Sequence, residues 1–353
     1  MSGLKQKLAP TIEELSASVQ LPEVHELETK QPTVSIIGCG GCGTNIVKKF
    51  VLTNQKFDVP ISVSVIDTSM SNTQQLPTAV KVHGIGNLGS GKDRSKNVDA
   101  ITKYLDTHKS FVSEATDITI LVFSMAGGSG SVIAPLLAHR LMRHSNRAVV
   151  LIGVVDSSSK RDCINTINTI KTFSKFAIEN KYYLPLMLFS NIEVGRVAVD
   201  RSIVTRLSNL VEMLTDKSIT EIDFTDKINY LRPTNIECPP GCYLLSVTAT
   251  SPEDGVDLPG EMGVELEEGD MVHVCLVVND SGKVPRILTN VTYVGLSDNK
   301  KFFSTIGTAI PVEIVNDLKE TAERYTRSEV QTDKTEKSFD GLEETVDKSG
   351  IVL

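Results

Sequence analysis

The chain has no tryptophan, and aromatic residues make up only 5% of its 353 residues. No Lys/Arg run is interleaved with aromatics, and the formal net charge is −8. Direct nucleic-acid binding through a basic, stacking surface is therefore disfavoured. No apolar run approaches the roughly 20 residues of a membrane span. The opening stretch "MSGLKQKLAPTIEELSASVQ" lacks the hydrophobic segment of a secretory signal. The histidines at 25, 83, 108, 139, 144 and 273 are scattered and suggest no catalytic constellation. Six cysteines (39, 42, 163, 238, 242 and 275) show no disulfide-framework spacing. Cys39-x-x-Cys42 and Cys238-x-x-x-Cys242 could in principle make a four-thiolate zinc site. The first pair, however, lies in a Gly-rich loop suited to another ligand, and the second flanks a Pro-Pro-Gly turn. The expectation is reduced thiols in a cytoplasmic protein, with no metal held by side chains.

What is present is a regular alternation. "TVSIIG", "ISVSVID", "DITILVFS", "AVVLIGVV" and "LPLMLFS" are short β-rich runs. Helical stretches at 44–55, 92–108, 131–144 and 162–180 separate them. This pattern predicts an α/β fold, a Rossmann-like parallel sheet covered on both faces. Ligands of such sheets bind outside the carboxyl ends of the strands. Residues 1–31 read as an N-terminal extension, and 32–195 as the ligand-binding domain. The segment 196–220 reads as a long central helix, with apolar residues at 199, 203, 207, 210, 211 and 214 in helical spacing. A smaller α+β second domain follows over 221–310, where "YLLSVTAT", "MVHVCLVVND" and "RILTNVTYVGL" read as strands. A C-terminal helix and acidic tail complete the chain over 311–353.

Two glycine-rich loops follow strands: "GCGGCGTN" from 38 and "MAGGSGSV" from 125. Consecutive glycines expose backbone N–H groups and admit a ligand without Cβ clashes, and a following helix adds its positive dipole end. Phosphate is the natural guest. Gly38-x-Gly40-x-x-Gly43 fits a dinucleotide fingerprint, with Asp67 close to the expected acidic position, so an NAD-dependent oxidoreductase must be weighed. No Gly-Lys-Ser/Thr closes the loop as a P-loop requires. Together with "HGIGNLGSGKDRSKN" (83–97), three glycine loops on one sheet edge fit a nucleoside triphosphate held mainly by backbone.

That order of loops resembles the tubulin/FtsZ superfamily, whose loop signature Gly-Gly-Gly-Thr-Gly-Ser/Thr-Gly is matched by Ala126-Gly127-Gly128-Ser129-Gly130-Ser131-Val132 except at its first and last glycines. "EIDFTD" (221–226) resembles the family's Asn-x-Asp-x-x-Asp, with Glu221 in place of Asn and with Asp223 and Asp226 retained. The compact chain and acidic ending are most similar to the phage-encoded tubulins.

The resemblance implies a GTPase that binds GTP or GDP with Mg²⁺ and polymerises with itself, head to tail, into cytoskeletal filaments. It implies a role in positioning or trafficking phage structures in the cytoplasm of an infected bacterium, with phage particles or a phage compartment as partners. Gly40, Gly41, Cys42, Gly43 and Thr44 would face the α/β-phosphates, and Gly127, Gly128, Ser129, Gly130 and Ser131 would form the main cradle. Gly89, Ser90, Gly91 and Lys92 would approach the γ-phosphate. Asp67 and Asp156 would lie near the ribose or the metal region. Asn191 and Asp200 would read the guanine edge, while Arg196 stands where the family tends to place a base-stacking aromatic. Asp223 and Asp226, with Glu221, lie a helix length of about 30 Å from their own nucleotide, at 1.5 Å per residue. They could act only on a neighbour's nucleotide, across a head-to-tail interface. The alternative for Asp223 is an ordinary helix cap. A filament-forming GTP-binding protein with little turnover is the further alternative, because Glu221 departs from the family's Asn. The tail would dock on a neighbouring subunit.

Overall fold

The structure, a computed structural model, describes residues 32–53, 56–57, 59–86, 89–108, 116–143, 147–191, 195–217, 223–232, 240–250, 275–277, 288–296, 301–310 and 312–339. The N-terminal extension, Glu221, Cys238 and the acidic tail lie outside these residues.

Seven parallel strands form the scaffold: β1 (Val34–Cys39), β2 (Ile61–Asp67), β3 (Lys81–Gly84), β4 (Ile118–Ser124), β5 (Ala148–Val155), β6 (Tyr183–Ser190) and β7 (Gly241–Thr250). Their order across the sheet is β3-β2-β1-β4-β5-β6-β7. β8 (Cys275–Val277), β9 (Leu288–Leu296) and β10 (Lys301–Ala309) extend it antiparallel beyond β7, in the order β10-β9-β8. The strands expected in a second domain thus continue the first domain's sheet, because β7 pairs parallel with the edge that β6 leaves open.

Two strands, β3 and β10, are absent from the strands read off the sequence. β3 is four residues long, mostly exposed at the sheet edge, and carries little alternation.

The central strands are buried on both faces, with the two-residue period sorting their side chains. Ile36, Ile120, Val122, Val150 and Ile152 face α1 (Gly40–Leu52), α5 (Arg196–Thr215) and α6 (Phe224–Leu231). Ile37, Leu121, Phe123, Val149 and Leu151 face α2 (Ser95–Thr107), α3 (Gly130–Met142), α4 (Lys160–Asn180) and α7 (Val312–Phe339). α5 buries Val199, Ile203, Leu207, Leu210, Val211 and Leu214, the residues that the helical spacing selected. Each such aliphatic side chain contributes roughly 1.5–3 kcal/mol when fully buried. α5 packs against α1, β6 and β7.

Helix α6 buries Lys227, Tyr230 and Leu231 on one face and leaves Asp226 exposed on the other. Lys227 is fully buried; desolvation brings its ammonium down to about 8, partly offset by the charge of Asp216. An unfolded lysine titrates near 10.5. Between pH 8 and that value the unfolded chain holds a proton that the folded chain has released, so this group makes stability rise with pH. Lys227→Met is expected to be at least as stable as the parent at pH 7, with its advantage shrinking as pH is raised to 10. Urea midpoints of both proteins at each pH check this, and an advantage constant across the window would contradict it.

Candidate functional site

A cleft of about 450 Å³ opens at the carboxyl ends of the parallel strands. Two helices begin in it, α1 directly from β1 at Gly40 and α3 from the 125–129 turn at Gly130. Neither N-terminus is capped by a side chain. Gly40 has φ +70°, and a Cβ there would lie 2.7 Å from the backbone N of Gly130. Only glycine allows both this backbone angle and this approach. The first-turn N–H groups and positive dipole ends of two helices are thereby brought together, which suits an anion carrying more than one phosphate.

The cradle is braced from β2 and from the 89–94 segment. Thr68 Oγ1 and Ser129 Oγ share a hydrogen bond of 2.5 Å, and the Gly89 N–H donates to Thr68 O at 3.2 Å. Asp67 accepts from Asn72 Nδ2 at 2.7 Å and from the Ser69 N–H at 3.2 Å. Burial outweighs these hydrogen bonds and holds the Asp67 carboxyl above the usual carboxylate range. Lys92 Nζ donates to both oxygens of buried Asp162, at 2.7 and 2.8 Å. Asn165 Nδ2 ties the Lys92 and Ala126 carbonyls together, at 3.0 and 2.9 Å.

At the other wall, Asp156 accepts from Ser158 and pairs with Arg196 at 3.5 Å. Burial pushes the Asp156 carboxyl up, but the Ser158 hydrogen bonds and the Arg196 and Lys92 charges outweigh it and hold it below its ordinary value. Asp200 pairs with Lys49 at 2.6 Å, and Asn191 carries a buried Oδ1 with no hydrogen-bond partner. Burial and the Asp200 charge push the Cys42 thiol up to about 12, which rules out a thiolate role at neutral pH.

Most residues expected in the site line this cleft: Gly40, Gly41, Cys42, Asp67, Gly89, Ser90, Lys92, Gly127, Gly128, Ser129, Gly130, Asp156, Asn191 and Asp200. Four expected residues do not. A Cβ on Gly43 would overlap the Val122 carbonyl oxygen, so Gly43 permits the close packing of α1 on β4. Thr44 is fully buried and does not line the cleft. Ser131 is also fully buried and donates back to Gly127 O, bracing the turn from beneath. Gly91, at φ +55°, shapes the 89–94 turn and has open space on its Cβ side.

Helix α1 also starts at Gly40 rather than at 44, because packing against β1 and β4 overrides the low helix propensity of glycine. The earlier start explains a missed residue. Asn45 lines the cleft, one turn after Gly41 on the same helix face, a spacing that could have revealed it. Asn72 and Asp162 line it too, supplied by segments that carry no glycine signature.

Thr44 Oγ1 is buried without a hydrogen-bond partner. Thr44→Val is therefore expected to keep or raise stability and to leave nucleotide affinity within about twofold. Calorimetric titration and a melting curve check this; a tenfold loss of affinity would return Thr44 to the site.

Asp223 and Asp226 do not line the cleft; they open α6, which follows α5 in sequence, itself about 30 Å long at 1.5 Å per residue. Both are exposed. Asp223 caps α6, its Oδ1 accepting from the Asp226 N–H at 2.8 Å. The cap alternative thus holds as geometry, and it leaves both carboxylates at the protein surface.

Fold and cleft together define an α/β protein that aims two helix N-termini into one polar cleft at its sheet edge. Residues 33–180 match the Tubulin/FtsZ family, GTPase domain. Over 213 residues the chain is 27% identical to a phage tubulin-like protein of Pseudomonas phage 201phi2-1, covering 57% of this chain and 64% of the relative. It is 26% identical over 222 residues to the mitochondrial division protein fszB of Dictyostelium discoideum, covering 58% and 59%. The matched region thus spans less than two thirds of either relative's length. Among solved structures, the fold is shared with the phage tubulin PhuZ with GDP, at a TM-score of 0.64 and 20% identity over 91% of this chain and 99% of that one. The TubZ protofilament from Bacteriophage PhiKZ gives 0.62 at 20% identity, with the same shares. Among the described residues, no helix is long and apolar enough to cross a membrane.

Proposed function

We propose that the chain is a GTPase that binds GTP in this cleft, assembles head to tail into filaments, and hydrolyses the nucleotide at each junction. The convergence of the α1 and α3 N-termini at Gly40 and Gly130 is the observation that carries it. A triphosphate fits that donor set, with the Gly127–Gly130 backbone as the main cradle and Lys92 at the γ-phosphate side. Guanine recognition falls to Asn191, whose Oδ1 lacks a partner, and to Asp200, which can accept from guanine N1–H and N2–H₂. Mg²⁺ arriving with the nucleotide would offset phosphate charge. Asp67 and Asp156 are the carboxylates that could approach it or the ribose.

Asp223 and Asp226 are too far away to serve their own cleft. Brought over the next subunit's cleft, they would orient and polarise the attacking water. Such a heterologous contact does not close on itself, so it builds a filament. The phage tubulin-like proteins among the relatives support a role in positioning or trafficking phage structures in the infected bacterial cytoplasm.

Phosphate release and light scattering, measured against protein concentration with GTP, ATP and NAD, test the reading. Cooperative assembly and release with GTP alone are expected. Assembly with GTP but no release would leave a filament without turnover, and hydride chemistry with NAD would overturn the reading.

A further inference from the structure

Helix α7 packs on α4 through one stripe of its residues. Leu318 is buried, and Ile314, Val315, Ala322 and Tyr325 pack against the core cluster that holds Ile170 and Phe173 of α4. Positions 314, 315, 318, 322 and 325 share one face of an α-helix. Apolar packing of this face accounts for the ring of Tyr325 but not for its hydroxyl. That hydroxyl donates to the Ser157 carbonyl oxygen at 3.1 Å, across 168 positions of sequence.

Ser157 belongs to the turn that joins β5 to α4 and carries Asp156 into the cleft wall. Its neighbours are held from within the turn and its own helix. Asp156 O accepts from Thr166 Oγ1 at 3.3 Å, and Asp156 Oδ1 accepts from the Ser158 N–H at 2.9 Å. Ser159 Oγ caps α4, accepting from the Asp162 N–H at 3.2 Å. The Ser157 carbonyl and the Ser158 N–H are the two ends of one planar peptide, which moves as a unit. Tyr325 holds the oxygen end of that plane, and the Asp156 carboxylate holds the N–H end. Turning the plane would withdraw the N–H from Asp156, so the tyrosine fixes which way the carboxylate faces. The other carboxylate oxygen, Oδ2, stands 3.5 Å from Arg196, another residue of the cleft wall.

Resting on the function proposed above, in which Asp156 approaches the ribose or the metal ion of the bound nucleotide, we infer that Tyr325 is a positioning residue for nucleotide binding. Tyr325 does not itself line the cleft. Through one hydroxyl, the C-terminal helix sets the peptide that aims Asp156.

The test uses the full chain, below the concentration at which it scatters light with GTP. Calorimetric titrations with GTP and with GDP are combined with a melting curve taken without nucleotide. Tyr325→Phe removes the hydroxyl and keeps the ring in its apolar stripe. It is expected to melt within a few degrees of the parent and to bind both nucleotides about three- to tenfold more weakly, the effect of one hydrogen bond. Asp156→Ala and the double variant complete a cycle. With the carboxylate gone the hydroxyl has nothing to aim, so adding Tyr325→Phe to Asp156→Ala should weaken binding by less than about twofold. Parent-like affinity in Tyr325→Phe, or the same loss with and without Asp156, would overturn the positioning role. A parent that binds neither GTP nor GDP would instead overturn the functional reading, and the positioning role with it.

Discussion

Gly43→Ala is expected to abolish the soluble folded protein. Gly43 lies in the first turn of α1, where the helix leaves β1 and crosses β4. A Cβ there would overlap the Val122 carbonyl oxygen and come within 2.9 Å of the Gly38 backbone. Reciprocally, a Cβ on Gly38 would lie 2.6 Å from Gly43 O. Both obstacles are backbone, so no side-chain rotation relieves them. The helix would have to lift off the sheet, losing the burial of Ile46, Val47 and Phe50. Overpacking alone costs roughly 1–3 kcal/mol, and the lost burial adds several more at roughly 1.5–3 kcal/mol per side chain. That is comparable to the whole stability of a typical domain. Gly41→Ala is the internal control. Its Cβ meets the end of the Asn72 side chain at 2.8 Å, which can swing away. That variant is expected to fold and to lose nucleotide affinity, because displacing Asn72 also removes the hydrogen bond to Asp67. Soluble yield and urea unfolding of the two variants, side by side, check the contrast; a stable Gly43→Ala protein would show that α1 does not sit where it is described.

The second large effect concerns turnover rather than folding. Replacing Asp223 by alanine would confound two losses, since its carboxylate caps α6 and a lost cap costs about 1 kcal/mol. Asparagine caps as well as aspartate does but carries no charge. Asp223→Asn and Asp226→Asn are therefore expected to melt within a few degrees of the parent and to assemble with GTP. Phosphate release should fall by about a hundredfold or more, in line with losing a group that positions the nucleophile. Release unchanged in both variants would reduce Asp223 to a cap and Asp226 to an exposed helix residue.

The parallel sheet was legible because its strands are continuous apolar runs separated by helical spacing, and the α5 stripe could be read residue by residue. The cleft was legible where glycines crowd, since few other demands place so many in sequence. What escaped were residues whose role depends on three-dimensional contact. Gly43, Thr44 and Ser131 sit within the right motifs but do not line the cleft: a Cβ on Gly43 would meet β4, and Thr44 and Ser131 are buried. Asn45 turns toward the cleft because α1 starts four residues earlier than its apolar pattern suggests. Asp162 reaches the cleft only because α4 begins beside the 89–94 turn. β10 extends the sheet by pairing antiparallel with β7, whose partner residues, from Lys301↔Thr250 to Ala309↔Tyr243, lie far apart in sequence, so no local pattern encodes the pairing.

The central claim is that one active site is built from two subunits, and a mixing experiment tests it most directly. One variant, Asp226→Asn, keeps the cleft and loses the acidic end. The other, Asp200→Ala, keeps the acidic end and loses guanine recognition. Each alone should release little phosphate from GTP. Mixed in equal amounts, they should recover a substantial share of the parent rate, because an intact cleft then meets an intact acidic end at some junctions. A mixture no faster than the sum of its two components would contradict a site shared between neighbours.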